Sequence, residues 1–266
     1  MDVYEKLRVK EFYDRISCSY DEQLKDGIIA NIIRKTFQSK LLNNFKPGSK
    51  LLELGCGTGT DSVFLAKHGI YVSANDISPG MIHVALEKIR REELNSHLKV
   101  CVKDSEEAII NSKIIYDGVI SNFDCVNYLD ISALSTNLLK ITGECATIQF
   151  TLLNKRCLWE FVYYLLKLQP LKALRYFRNR EKFLFNILDL KSPGEFIRNF
   201  SPDFRIKKIT GIGFLIPPDG LKGLQKRFPG FFGRLEKLDM LLASIIPFCN
   251  FCDHYIIEME KVNMPG

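Results

Sequence analysis

The sequence lacks what a membrane-spanning, secreted or metal-bound protein would need. No apolar run approaches the roughly 20 residues that span a bilayer. The longest, 240–252, is shorter and is interrupted by Pro247. The opening residues, Met1-Asp2-Val3-Tyr4-Glu5-Lys6, are polar and charged, with no apolar core of a secretion signal behind them. There is no internal repeat and no low-complexity linker. The spacing Cys249-x-x-Cys252 has no second C-x-x-C to complete it. Structural zinc sites usually take four ligands, so no metal is expected. The eight cysteines (Cys18, Cys56, Cys101, Cys125, Cys145, Cys157, Cys249 and Cys252) are scattered. In a reducing compartment such thiols act as small hydrophobes. The expectation is a soluble, cytoplasmic protein.

What is present is ordinary for a globular chain. Of 266 residues, 46% are apolar and 26% charged, which suits one domain with built-on inserts. The net charge of +6 permits an anionic partner without requiring nucleic acid.

The pattern along the chain is helical for the first 48 residues. Residues 31–42 alternate apolar and basic positions at helical spacing, and Lys46-Pro47-Gly48 ends the segment. Strands are then expected at 50–54, 70–74, 97–102, 116–121 and 144–152, with helices at 61–67, 81–91 and 133–140 between them. Strands alternating with helices argue for βα units and a parallel sheet. Further on, residues 154–182 read as one helical segment, 183–188 as a short strand, and 204–209 and 255–259 as the last two strands. Ser192-Pro193-Gly194 opens a helix. A second apolar insert covers 214–251.

The chemistry centres on Glu53-Leu54-Gly55-Cys56-Gly57-Thr58-Gly59. A glycine loop between strand and helix lets backbone approach a ligand closely, because no Cβ intervenes. The dinucleotide fingerprint G-x-G-x-x-G has a different spacing. A carboxylate at the strand end also suits a cationic ligand better than a pyrophosphate.

These residues resemble the class I S-adenosylmethionine-dependent methyltransferases, which share the E/D-x-G-x-G-x-G loop. Tyr13-Asp14-Arg15-Ile16-Ser17-Cys18-Ser19-Tyr20-Asp21 is similar to the F/Y-D-x-x-A-x-x-Y-D lead-in of the small-molecule branch, the ubiquinone/menaquinone-type and natural-product enzymes. Ser17 stands where that pattern has alanine. The likeness covers about residues 10–153. It implies a Rossmann-like seven-stranded, mostly parallel α/β sheet sandwiched by helices, with helical lid inserts. It places residues 1–48 as an N-terminal lid and 49–153 as the S-adenosylmethionine-binding core. A basic aromatic insert at 154–182 and the rest of the sheet at 183–266 complete one domain.

Carried over position by position, the resemblance implies a cofactor site of Tyr20, Glu53, Gly55, Cys56, Gly57, Gly59, Asp76, Ile77, Met81, Asp104, Ser105 and Asn122. Asp76 falls where the family's second-strand acid takes the ribose hydroxyls, and Asp104 where an acid faces adenine. Tyr20 is expected to close over the cofactor. Acceptor contacts are expected from Phe123, Tyr128, Trp159 and residues 214–218. Tyr20, Asp124 and His254 are the candidate general bases. The plain alternatives are a helix cap for Asp76, helix packing for Tyr13 and Tyr20, and surface positions for His68, His83 and His97.

The segment 155–182 carries Lys155, Arg156, Lys167, Lys172, Arg175, Arg178, Arg180 and Lys182 against Glu160 and Glu181. Aromatic and aliphatic residues interleave them. Such a segment is either a lid with a solvated basic face or a peripheral membrane contact. The expected activity is methyl transfer to a small-molecule or lipid-like acceptor. The alternatives are a nucleic-acid methyltransferase, a non-catalytic binding module of the same fold, and a nicotinamide oxidoreductase. Ser121-Asn122-Phe123-Asp124 has no proline where amino-methylating nucleic-acid enzymes carry N/D-P-P-Y, which argues against the first. The G-x-G-x-G spacing argues against the last. Oligomeric state is not readable from the sequence.

Overall fold

The computed structural model describes residues 1–178, 190–200, 202–217 and 227–262. Its centre is a seven-stranded sheet in the order β3-β2-β1-β4-β5-β7-β6. The strands are β1 (Lys50–Leu54), β2 (Tyr71–Asp76), β3 (Leu98–Val102), β4 (Tyr116–Ser121), β5 (Thr142–Leu153), β6 (Phe204–Ile212) and β7 (His254–Lys261). The first five pair in parallel, and β7 runs antiparallel to both β5 and β6. The strand order reverses between β1 and β4. In open α/β sheets, ligands bind in the crevice beyond the carboxyl ends of the strands at such a reversal.

Both faces of the sheet are covered, as parallel sheets require. Strand residues pointing to opposite faces feed two cores, one on each side of the sheet. Leu51, Val72, Ala74, Ile120 and Ile256 pack on one side with Ile29, Ile33, Phe37 and Leu41. Leu52, Leu54, Val119, Ile148, Phe150, Tyr255 and Ile257 pack on the other with Leu134, Leu138, Phe196 and Phe200. The helices of the sheet are α4 (Thr60–Lys67), α5 (Pro79–Arg91), α6 (Ser105–Ile110) and α7 (Ile131–Ile141).

Ahead of the sheet stand α1 (Val3–Ile16), a 3-10 turn at Ser17–Ser19, α2 (Tyr20–Lys25) and α3 (Ile28–Asn44). Asp2 starts α1 with a capping box to Glu5. The α1 helix buries none of its residues and is held by polar contacts. Lys6 Nζ lies 3.2 Å from Asp104 and 2.8 Å from Glu106. Asp14 Oδ1 accepts from the Ser78 hydroxyl at 2.5 Å and the Gly80 N–H at 2.9 Å. The longer α3 is a core element, tied to β7 where Lys40 meets the buried Glu258 at 2.5 Å and Asn44 donates to it at 2.9 Å.

Beyond β5 come α8 (Leu158–Leu166), α9 (Pro170–Arg178), α10 (Pro193–Asn199) and α11 (Pro229–Leu242). The single helical segment expected at 154–182 is thus two helices. Leu168 between them takes a left-handed φ of 56°, which breaks the helical hydrogen-bond ladder. The strand expected at 183–188 lies outside the described residues. The short α6 is an addition to the expected elements: Asp104 caps it by accepting from the Glu106 and Glu107 amides. Cys249 and Cys252 are buried free thiols. Among the described residues, no group of side chains could hold a metal ion and no helix is long and apolar enough to cross a membrane.

Candidate cofactor and acceptor site

A pocket of about 830 Å³, its open mouth included, lies over the carboxyl ends of β1, β2 and β4. Each strand delivers a polar side chain to it: Glu53, Asp76 and Asn122. The loop after β1 is shaped by left-handed glycines, with φ of 64° at Gly55, 54° at Gly57 and 71° at Gly59. At Gly55 a Cβ would also collide with Cys125, 2.4 Å from its Sγ. Gly57 faces the pocket under the ring of Tyr20, whose Cε1 would stand 3.6 Å from an added Cβ. Gly59 sits behind the loop instead. It caps α4 and packs on Ala85, so it shapes the loop and does not line the pocket.

Asp76 is buried at the tip of β2. Its Oδ2 accepts from the Gly57 N–H and its Oδ1 from the Ser78 N–H, both at 2.9 Å. The cap of α5 is Ser78, which accepts from the Met81 N–H; Asp76 is therefore not the helix cap. Burial raises its carboxyl pKa, and the Ser78 and Gly57 amides pull it back down. Glu53 is buried too. Burial, then the neighbouring Asp61, push its pKa up, and the Ser62 hydroxyl donates to it.

Among the lining residues outside the expected site are Asp61, Tyr13, whose plain alternative was helix packing, and Arg34. Asp61 accepts from Gln38 at 2.7 Å and from Asn122 at 2.9 Å. Tyr13 lies edge-on to Tyr20, with ring centroids 6.3 Å apart. The third is Arg34, on α3. Its guanidinium lies over the Phe123 ring, 4.9 Å from the centroid. Its Nε is buried without a hydrogen-bond partner, and the nearest carboxylate oxygen, on Asp61, is 3.9 Å away. The pocket wall otherwise carries the acids Glu53, Asp61, Asp76 and Asp104. The sequence hinted at Arg34 only as one basic residue in a helix that alternates apolar and basic positions.

The N-terminal segment closes the mouth. Asp21 accepts from Thr58 at 2.7 Å and Thr60 at 3.2 Å and pairs with Lys88 at 2.6 Å. Partial burial would raise the Asp21 pKa, but the Lys88 and Thr58 hydrogen bonds win and lower it. Tyr20 follows directly from this clamp and lines the pocket.

The acceptor side is built on strained backbone. Phe123 and Asp124 have φ of 53° and 71°; each costs roughly 1–2 kcal/mol for a residue with a Cβ. Phe123 and Tyr128 line the pocket, whereas Asp124, Trp159 and His254 do not. His254 is buried between two carboxylates, with Nδ1 2.8 Å from Asp253 and Nε2 3.2 Å from Asp124. Burial opposes its charge, but Asp124 and Asp253 outweigh it and raise the imidazole pKa to about 10. At neutral pH this histidine keeps its proton and is no base. Tyr20 keeps its proton as well, because burial raises its pKa. Asp124 is turned to His254.

Sheet order, pocket position and glycine loop define a class I nucleotide-binding α/β fold. Residues 51–142 match a family profile described as a methyltransferase domain. A demethylmenaquinone methyltransferase of Mycobacterium marinum is 28% identical over 145 residues, 52% of this chain and 58% of that protein. A magnesium-protoporphyrin O-methyltransferase of Rhodobacter capsulatus is 31% identical over 125 residues, 46% of this chain and 53% of that protein. The chain spans about half the length of these curated relatives. The geranyl diphosphate C-methyltransferase of Streptomyces coelicolor, solved with S-adenosyl-L-homocysteine, superposes with a TM-score of 0.55 at 14% identity. That match covers 86% of this chain and 78% of the other. Residues 51–142 are thus similar to methyltransferase domains, and the whole chain shares the fold of a solved methyltransferase.

Proposed function

We propose that the protein transfers a methyl group from S-adenosylmethionine to a small or lipid-like acceptor. The observation that carries this reading is the charge layout of one pocket: four acids and, from α3, the guanidinium of Arg34, whose buried Nε makes no hydrogen bond and lies 3.9 Å from Asp61. A ligand with a sulfonium, an ammonium and a carboxylate complements that layout. When bound, S-adenosylmethionine supplies an activated methyl, and the S–C bonding pair returns to sulfur as the acceptor's lone pair takes the carbon.

In this reading Asp76 holds the ribose hydroxyls, since a carboxylate with four lone-pair sites can accept from them as well as from two backbone amides. Asp104 and Ser105 flank the adenine edge, with Ile77, Met81 and Cys125 as apolar walls. Cys125 is no nucleophile there, because burial raises its thiol pKa to about 12. Arg34 takes the amino-acid carboxylate, and Glu53 and Asn122 stand at the ammonium end. Tyr13, Tyr20 and Tyr128 exclude water over the methyl, and positioning supplies much of the rate. With His254 holding a proton and Asp124 turned to it, this reading favours an acceptor atom that has a free lone pair or ionises readily itself. Phe123 and Tyr128 offer it apolar contact.

Methyl transfer is tested by incubating the protein with labelled S-adenosylmethionine and a panel of quinol, carboxylate and amine acceptors. Label in an acceptor supports the reading. Cofactor binding without turnover of any acceptor would favour a binding module.

A further inference from the structure

From the outer surface of α8 and α9, we propose that this helical hairpin is a docking surface for anionic lipid membranes. The two helices pack chiefly on each other. At the bend between them, Leu166, Leu168 and Leu171 are 77%, 89% and 84% exposed. Leu165 and Leu174 extend the same strip, while Ala173 between them is fully buried. Leu171 and Leu174 are spaced three apart and so share one face of α9. A helix serving only as a lid turns its apolar face inward and its polar face to water. This hairpin does the reverse at its tip. Contiguous exposed leucines mark an interaction surface.

Charge identifies the partner. Between Glu160 and Glu181 the sequence has five cations, Lys167, Lys172, Arg175, Arg178 and Arg180, and no acid. Lys167 and Lys172 flank the leucines in sequence and lie over the rings of Tyr163 and Tyr164, at 5.7 and 4.8 Å. Lysine stems run along apolar surface and present their ammonium groups at its rim. Leucines at the tip, tyrosines behind them and lysines at the flank are the arrangement that seats in a headgroup layer, with the cations drawn to anionic lipid. A protein partner of matching shape would need acids around an apolar groove; a bilayer supplies both over any area. The inference rests on the lipid-like acceptor reading for its purpose, since a membrane-seated enzyme meets such an acceptor where it resides. Its test is independent of methyl transfer.

The full chain is sedimented with vesicles of phosphatidylcholine alone and of phosphatidylcholine with phosphatidylglycerol, at low and high salt. It is expected to bind the anionic vesicles, and more weakly as salt rises. Replacing the three exposed leucines together (Leu166→Ser, Leu168→Ser, Leu171→Ser) should weaken binding at least roughly tenfold, given the apolar area each would bury. Their exposure predicts no loss of folding, checked by circular dichroism and by unchanged calorimetric affinity for S-adenosylmethionine. Failure to bind anionic vesicles, or equal binding by the triple variant, would overturn the proposal. So would a dimer in analytical ultracentrifugation that the triple variant abolishes, because it assigns the leucines to a second copy. If cofactor binding fails while vesicle binding persists, the methyltransferase reading falls and the docking surface stands.

Discussion

Arg34 and Asp76 bring opposite charges to one pocket, and their substitution separates two ends of the ligand. Asp76→Ala removes hydrogen bonds to a charged group, worth about 1.5–3 kcal/mol. Affinity for S-adenosylmethionine should fall about 10- to 100-fold by calorimetry; unchanged affinity removes Asp76 from the site. Arg34→Met should cause a loss of similar size for S-adenosylmethionine. It should cost little for the decarboxylated cofactor, which has no carboxylate to lose. If both ligands weaken equally, Arg34 acts by packing on Phe123 and not by pairing. The two residues differed in legibility. Asp76 was visible because it ends a strand at a fixed distance from a glycine loop. Arg34 was not, because a basic residue on an amphipathic helix resembles Lys35 until α3 is docked and one of them points at Phe123. Asp104 was visible as an acid after β3, yet its carboxylate also caps α6 and pairs with Lys6, a double engagement that no spacing reveals.

Elements were read most securely where period and punctuation agree. Strand β4 matches its expected span, as does β1, where an apolar run ends in glycine. Strand β5 begins two residues early, at Thr142, and runs through Gly143, which reads in sequence as a break before the strand. The break at Leu168 has a sequence mark two residues on, in Pro170, which opens α9 as proline opens helices. Residues 1–48 were expected to form one lid; α3 instead packs into the core, and α1–α2 attach through polar contacts, with Lys6, Asp14 and Asp21 holding them to α6, α5 and the glycine loop. Asp21→Ala should therefore loosen the lid without unfolding the sheet. Amide exchange across Val3–Lys25 should speed up, with the strands unchanged, and cofactor affinity should fall severalfold, on the order of 1 kcal/mol for hydrogen bonds lost at a partly exposed site. Exchange that accelerates throughout the sheet would show that the clamp supports the whole fold instead.

At the scale of the whole molecule, the Asp124–His254–Asp253 cluster ties β7 to the loop after β4. The imidazole pKa rises from 6.5 to about 10 on folding. A raised pKa contributes stability that is fully present below the unfolded value and is lost as pH rises to the folded one. The stability difference between the wild type and His254→Gln should thus be largest below pH 6.5 and shrink toward pH 10, measured by urea unfolding across that range. A difference that grows with pH would contradict the charged bridge. Ligand linkage acts on the same quantity: at a hundredfold excess over its Kd, S-adenosylmethionine should stabilise the native state by about 2.7 kcal/mol.

The most direct measurement is a calorimetric titration of the purified chain with S-adenosylmethionine, S-adenosylhomocysteine and NAD. The pocket's four acids, single guanidinium and G-x-G-x-G loop predict micromolar binding of the first two, near −8 kcal/mol, and none of NAD. Binding of NAD with no response to the other two would contradict the account. So would folded protein that binds neither sulfur ligand, with or without candidate acceptors present.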